Sequence, residues 1–193
     1  MIIGVIILVV IILYLVGFYN SLKTTQVHIG ASVQEIGNQL KRQSNLIPNL
    51  VESVKGYMSH EKGIFEDLAE ARKLVDDSIK NQDPKNIDKA QALLNKSISS
   101  IRLIAESNPQ IMASGLVTNL MNELRDTADK VMYARRTLID LSADFNVKIG
   151  TVPGVWLAPL FGFQPVKGLD TPVSGEFLEV SATDTVNPTV KLN

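Results

Sequence analysis

The chain has no cysteine, and of its 193 residues only His28 and His60 are histidine. The first absence excludes disulfides, thiolate metal sites and a cysteine nucleophile together; the second leaves little for imidazole acid–base or metal work. The formal net charge of −1 lacks the basic excess of a nucleic-acid binder or of a strongly basic membrane-surface protein. Missing too are a P-loop, a Gly-x-Gly-x-x-Gly turn, a Gly-x-Ser-x-Gly elbow and the Glu-x-x-His pairs of a di-iron bundle. His60-Glu61 begins like a zinc-binding H-E-x-x-H helix, but Ile64 stands where the second histidine belongs, so the two-ligand face does not form. His28 has no evident partner. The expectation is a protein without catalytic residues, bound metal, cofactor or small-molecule substrate.

Charge is also absent from the start of the chain: Met1 to Tyr19 is one uncharged apolar run, and the first charge is Lys23. A helix needs about 20 apolar residues to cross a hydrocarbon core of about 30 Å. The run has that length and lacks the basic start and small-residue cleavage site of a secretory signal, so residues 1–20 read as a retained single-pass anchor. Lys23 follows the run, with Lys41 and Arg42 further on, which favours the N-terminus outside and the remainder in the cytoplasm. Tyr14, Phe18 and Tyr19 suit the interfacial aromatic belt. The run contains no Gly-x-x-x-Gly pair for tight helix dimerisation.

From Leu22 onward the apolar residues recur every three or four positions, the period of a helix. Val33, Leu40, Ile47 and Val54 occupy one heptad position, and Ile29, Ile36, Leu50 and Tyr57 its partner. Ile36, Leu40, Ile47, Leu50 and Val54 therefore form a packing or partner seam. Gln26 and Gln43 fall in the same phase, where polar residues can fix register at some cost in stability; the simpler reading places them at its water-accessible edge. Pro48 lacks an N–H and opposes a helix interior, yet the seam keeps its phase across it, which predicts one helix with a kink.

A second helix is expected over 59–81, with Ile64, Leu68, Ala71, Val75 and Ile79 inward. Asp83-Pro84 and Asn108-Pro109 each read as an N-cap followed by proline at the first helical position. They start a third helix, with Ile87, Ala90, Leu94, Ile98, Ile101 and Ala105 on one face, and a long fourth ending by Gly150. The fold class is all-α: an anchor (1–20) continuing into an antiparallel four-helix bundle (21–150) with two long and two short helices. At about 1.5 Å per residue the long helices reach roughly 55–60 Å, so the fourth returns its end toward the membrane. The apolar segment 151–163, too short and too rich in proline and glycine to span, is then delivered to the bilayer surface. Trp156, Leu157, Leu160, Phe161 and Phe163 are the expected membrane contacts, with folding onto the bundle as the alternative. The rest, 164–193, is expected to be a poorly ordered tail with a brief extended piece at Glu176 to Val180. Lys41, Arg42, Arg135 and Arg136 lie midway along the two long helices and are candidates for a shared basic patch, against the simpler reading of a solvated face.

The stretch from Leu40 to Glu61, LKRQSNLIPNLVESVKGYMSHE, resembles the signature of the LemA family of bacterial membrane proteins. Ala71-Arg72, Glu106-Ser107-Asn108-Pro109, Ala134-Arg135-Arg136 and Phe145-Asn146 follow in the matching order. The resemblance implies one N-terminal span, an antiparallel helical bundle and no established catalytic activity. It departs at Ala128, where the family tends to have glutamate, and at Leu138-Ile139, where it tends to have Tyr-Asn. Relatives take part in building organelle membranes or stand near membrane proteases in gene order. Together these readings lead to a noncatalytic, membrane-anchored scaffold of the bacterial inner or cell membrane that forms a homo-oligomer or organises membrane protein partners. The alternative is an accessory or regulatory subunit of a membrane enzyme such as a protease.

Overall fold

The computed structural model describes residues 2–57 and 61–169. Helix α1, Ile2–Val54, runs unbroken for 53 residues, about 80 Å at standard rise. Its two parts differ in what covers them. Ile2 to Tyr14 are exposed, whereas Leu22, Ile29, Val33, Ile36, Leu40, Ile47, Leu50 and Val54 are buried. Helices α2 (Glu61–Asn81), α3 (Ile87–Ser107) and α5 (Gly115–Gly150) pack around that second part. Neighbours run antiparallel, as the cross-helix ion pairs require: Lys89 with Glu70 and Lys96 with Asp67 between α2 and α3, Lys41 with Asp76 between α1 and α2. The fold is the expected all-α bundle rooted in an apolar helix, with no strand among the described residues. With 36 residues α5 reaches about 54 Å, and with 21 each α2 and α3 reach about 32 Å.

Each buried aliphatic side chain contributes about 1.5–3 kcal/mol, so the seam dominates stability. Tyr57 is the exception to the phase: α1 gives way to a single 3-10 turn, Lys55–Tyr57, which leaves its ring exposed. Gln43 departs in the opposite sense. Expected at a wet edge, it is 2% exposed, and its Oε1 has no hydrogen-bond partner among the described residues. Gln26 is exposed.

Helix α1 passes through Pro48 because a residue from another helix replaces the missing bond. Proline at 48 leaves the Ser44 carbonyl, four residues back, without its helical donor. Arg72 of α2 supplies one: its Nη2 donates to Ser44 O at 2.9 Å and to Asn45 Oδ1 at 3.2 Å, while Nε donates to Ser44 Oγ at 3.2 Å. Arg72→Met is therefore expected to cost about 1–3 kcal/mol, the penalty for stranding a buried acceptor. In a Pro48→Ala background the restored N–H at 48 recaptures Ser44, and Arg72→Met should then cost measurably less. The four denaturation curves of this cycle give the coupling directly. Equal costs in both backgrounds would discard the explanation.

The two proline start signals behave differently. Asp83 caps as expected, its Oδ1 accepting from Lys85 N at 3.0 Å, and a 3-10 turn, Pro84–Asn86, leads into α3. Asn108 instead turns its amide back to donate to Ile104 O at 2.8 Å, and the helix that follows, α4 (Pro109–Met112), lasts one turn. The long fourth helix thus begins later than expected, at Gly115, after Ser114 in an extended conformation.

The first residues of the segment expected to be a poorly ordered tail are packed on the bundle. Residues 164–169 lie along α5, where Asn146 Nδ2 donates to Val166 O and Val166 N–H donates to Asn146 Oδ1, both at 2.9 Å. Leu169 is buried. The expected extended piece at 176–180 and His60 lie outside the described residues.

Candidate functional site

The base of the bundle is built by the segment that follows α5. Thr151 closes α5 by donating its N–H to Val147 O, and helix α6, Gly154–Leu160, follows. Gly154 is buried against α5, and a Cβ there would overlap the Lys148 carbonyl oxygen, so only glycine permits this approach. At the other end, Gly162 adopts φ +76°, with Phe163 N–H donating to Ala158 O at 2.9 Å and Gly162 N–H to Pro159 O at 3.1 Å. This is a Schellman ending, whose 6→1 and 5→2 bonds reverse the chain and bring its last apolar residue onto the helix.

That reversal divides the five expected membrane-contact residues. Phe163 turns inward and is buried, its ring 6.1 Å from that of Phe145 in an edge arrangement. Leu157 is half-buried. Trp156 and Leu160 point outward, 66% and 79% exposed, and Val152 and Val155 add to the same apolar surface. Phe161 stands between, exposed but with its ring 5.3 Å from that of Tyr19. Tyr19 also meets Phe163 at 5.6 Å. Because Tyr19 ends the apolar run of α1, these ring contacts hold α6 at the root of the apolar segment. That segment is long and apolar enough to cross a membrane: its most apolar 18 residues average a hydropathy of 3.0, and none of them is buried by the described residues. The exposed apolar face of α6 is thus adjacent to an exposed apolar helix.

The proposed seam has a different fate. Ile36, Leu40, Ile47, Leu50 and Val54 are fully buried in the bundle's own core, so they serve packing and are unavailable to a partner.

The four basic candidates do not form one patch. Lys41 turns toward α2 and pairs with Asp76 at 2.6 Å, whereas Arg42 turns toward α5 and pairs with Glu123 at 2.5 Å. Arg135 lies twelve residues further along α5, about 18 Å away along the axis, and donates to Asp88 at 2.5 Å and Gln91 at 2.9 Å of α3. Among the described residues, Arg136 pairs only with Asp140 on its own helix, at 4.0 Å. Adjacent residues on a helix point about 100° apart, so Lys41 and Arg42 are split between two interfaces, and Arg135 and Arg136 between an interface and the exposed surface. The hydrogen bonds that Arg42 donates to Glu123, and then the charge of that carboxylate, raise the Arg42 pKa above its ordinary value against an opposing effect of desolvation. Glu123 is engaged by Arg42, and Thr127 Oγ1 donates to Leu124 O.

His28 is exposed, and its backbone carbonyl accepts from Ser32 Oγ at 3.0 Å. Among the described residues no three His, Asp or Glu side chains converge as a metal site would require. Sequence reasoning missed three features: the Arg72 clamp, the burial of Gln43 and the Asn146–Val166 pairing. Arg72 and Asn146 carried a signal as parts of the family motif; the Gln43 phase was visible, but its burial depends on which helices stand beside it.

No curated protein matches the chain. The LemA family model matches residues 32–181, from within the bundle part of α1 to beyond the described residues. A match over more than three quarters of the 193 residues makes the chain a member of the LemA family.

Proposed function

We propose that this protein is a noncatalytic scaffold held to a bacterial membrane at two points: by α1 as a single-pass anchor, N-terminus outside, and by α6 at the surface. The observation that carries the reading is the aromatic cluster of Tyr19, Phe161, Phe163 and Phe145, which fixes the outward-facing Trp156 and Leu160 beside the end of the apolar run. Tryptophan is favoured at membrane interfaces, where its ring spans apolar and wet layers. Two attachments restrict the tilt of the bundle, as a scaffold requires and a single flexible tether does not supply. The apolar area of α6 has further weight because contiguous exposed apolar surface marks interaction sites.

The scaffold self-associates or organises membrane protein partners. Gentle extraction of the full chain from its native membrane, followed by native mass measurement and identification of co-purifying proteins, tests this. The expected result is a homogeneous assembly of several copies. A stoichiometric membrane enzyme would replace scaffolding by the accessory-subunit role, and uniform monomers without a partner would overturn both.

A further inference from the structure

Two contacts fix how far the base of the bundle reaches along α1. Arg42 pairs with Glu123, and Tyr19 and Phe145 both meet the ring of Phe163, at 5.6 and 6.1 Å. Tyr19 is 23 residues back along α1 from Arg42 and Phe145 is 22 residues onward along α5 from Glu123, so the two antiparallel helices stay in register over about 34 Å. Helix α5 then continues past Phe145 to Gly150, roughly 7–8 Å further toward the start of α1. Its last turn therefore stands level with Leu15 to Phe18, inside the apolar run. Helix α6 is held at the same level, because Gly154 packs on Lys148 and Ile149.

A bilayer that covers α1 reaches that level. Tyr14 and Val16 are exposed there, beside the exposed Val152, Val155, Trp156 and Leu160. Hydrocarbon that stopped short of Val16 would leave both groups in water; hydrocarbon that continues to Tyr19 covers both. The charges follow the same boundary. Ile149 to Val166 is uncharged, as is the chain before Lys23. Lys23 lies one turn beyond Tyr19, Asp144 precedes Phe145, and Lys167 stands between Val166, paired with Asn146, and Gly168, packed on Ser142. All three are on the bundle side of the Tyr19 level. From Asn146 to Val166 the one charge is Lys148, whose side chain leans back toward the start of α5 and pairs with Asp144 at 2.8 Å, as a lysine at the edge of hydrocarbon does.

The segment also suits a medium without water, where backbone N–H groups must be satisfied within the chain. Thr151 donates both its N–H and its hydroxyl to Val147 O, and Val155 donates to Thr151 O. Trp156 and Leu157 donate to Pro153 O, and Phe161, Gly162 and Phe163 to carbonyls of α6. Pro153 and Pro159 have no N–H to satisfy.

We propose that α6 and the last turn of α5 are immersed among the acyl chains of the bundle-side leaflet, below its headgroups. That leaflet then accommodates α1, α6 and the end of α5, whereas the opposite leaflet meets α1 alone of the three. Immersion presupposes the two-point attachment proposed above and adds its depth and its partner, lipid hydrocarbon.

Trp156 is the single tryptophan of the chain and reports the depth of α6 directly. With the full chain in phosphatidylcholine vesicles, a nitroxide on the upper acyl chain should quench Trp156 more strongly than a nitroxide on the headgroup. The absence of cysteine adds a second readout in phospholipid nanodiscs. There Val152→Cys should react with a water-soluble maleimide roughly tenfold more slowly than Ala143→Cys, because apolar surroundings withhold the reactive thiolate. Both positions are exposed on the protein, so lipid is what separates them, and the urea-unfolded chains should label alike. Headgroup quenching equal to or stronger than chain quenching would overturn immersion and leave α6 attached at the surface, as would equal labelling of the two folded variants. Quenching by neither nitroxide would overturn the attachment itself, and immersion with it.

Discussion

Phe145→Ala should destabilise the bundle by about 3–5 kcal/mol, the range for deleting a fully buried phenylalanine where the surroundings relax only in part. The ring is 0% exposed and lies where α5, α1 and the segment after α6 converge. Its edge contact with Phe163 is of a kind worth about 0.5–1.5 kcal/mol beyond the area it buries. Phe163 in turn supports Tyr19, so the deletion loosens the link between bundle and apolar helix as well as the core. Chemical denaturation of the full chain in a fixed detergent gives the difference. Phe161→Ala provides the contrast: that ring is more than a third open to solvent and should cost far less. Equal effects from the two would mean that the cluster does not close the base of the bundle.

Gly154→Ala is the second large effect, and its cause is different. The new methyl group meets the Lys148 backbone carbonyl, which cannot rotate away as the end of a side chain can. Helix α6 must therefore lift from α5, taking with it the buried Ala158 and the Schellman turn that delivers Phe163. The expected cost is about 3 kcal/mol, the upper end for overpacking, and a melting temperature lowered by roughly 6–12 °C for a chain of this size. The glycine does not adopt a left-handed φ here, so the stiffening of the unfolded chain by alanine offsets only about 0.4–1 kcal/mol of the clash. The same variant tests the membrane contact. In phospholipid vesicles Trp156 of the unaltered chain should be quenched by brominated lipid, and Gly154→Ala should weaken that quenching by misplacing α6. Quenching absent in the unaltered chain would remove α6 as an attachment point, while leaving its packing on α5 intact.

How much of this was legible in the sequence follows from the range of each interaction. The apolar run and the helical period of α1 are local properties, written in neighbouring residues, and the helices appear where the period predicts. The Asp83-Pro84 start is equally local, because the cap and the proline act within one turn. Asn108-Pro109 looks the same in sequence and ends otherwise, since the Asn108 amide finds the Ile104 carbonyl first and Ser114-Gly115 offers a second start within the same stretch. The basic residues show the same limit from the charge side. Their positions along two helices were readable, whereas their partners depended on which neighbour each face met.

The sequence alone determined that this is a helical protein with one helix long and apolar enough to cross a membrane, and it contained enough of the family motif to place it. Tertiary structure decided how that helix survives Pro48, why Gln43 is buried, and which of the apolar residues 151–163 face out. Hydropathy and period report what each residue prefers; they do not say which distant residue stands opposite. Arg72 restores the bond that Pro48 removes from across a helix interface, and Phe163 turns inward because Phe145 and Tyr19 wait there, far away in sequence and adjacent in space.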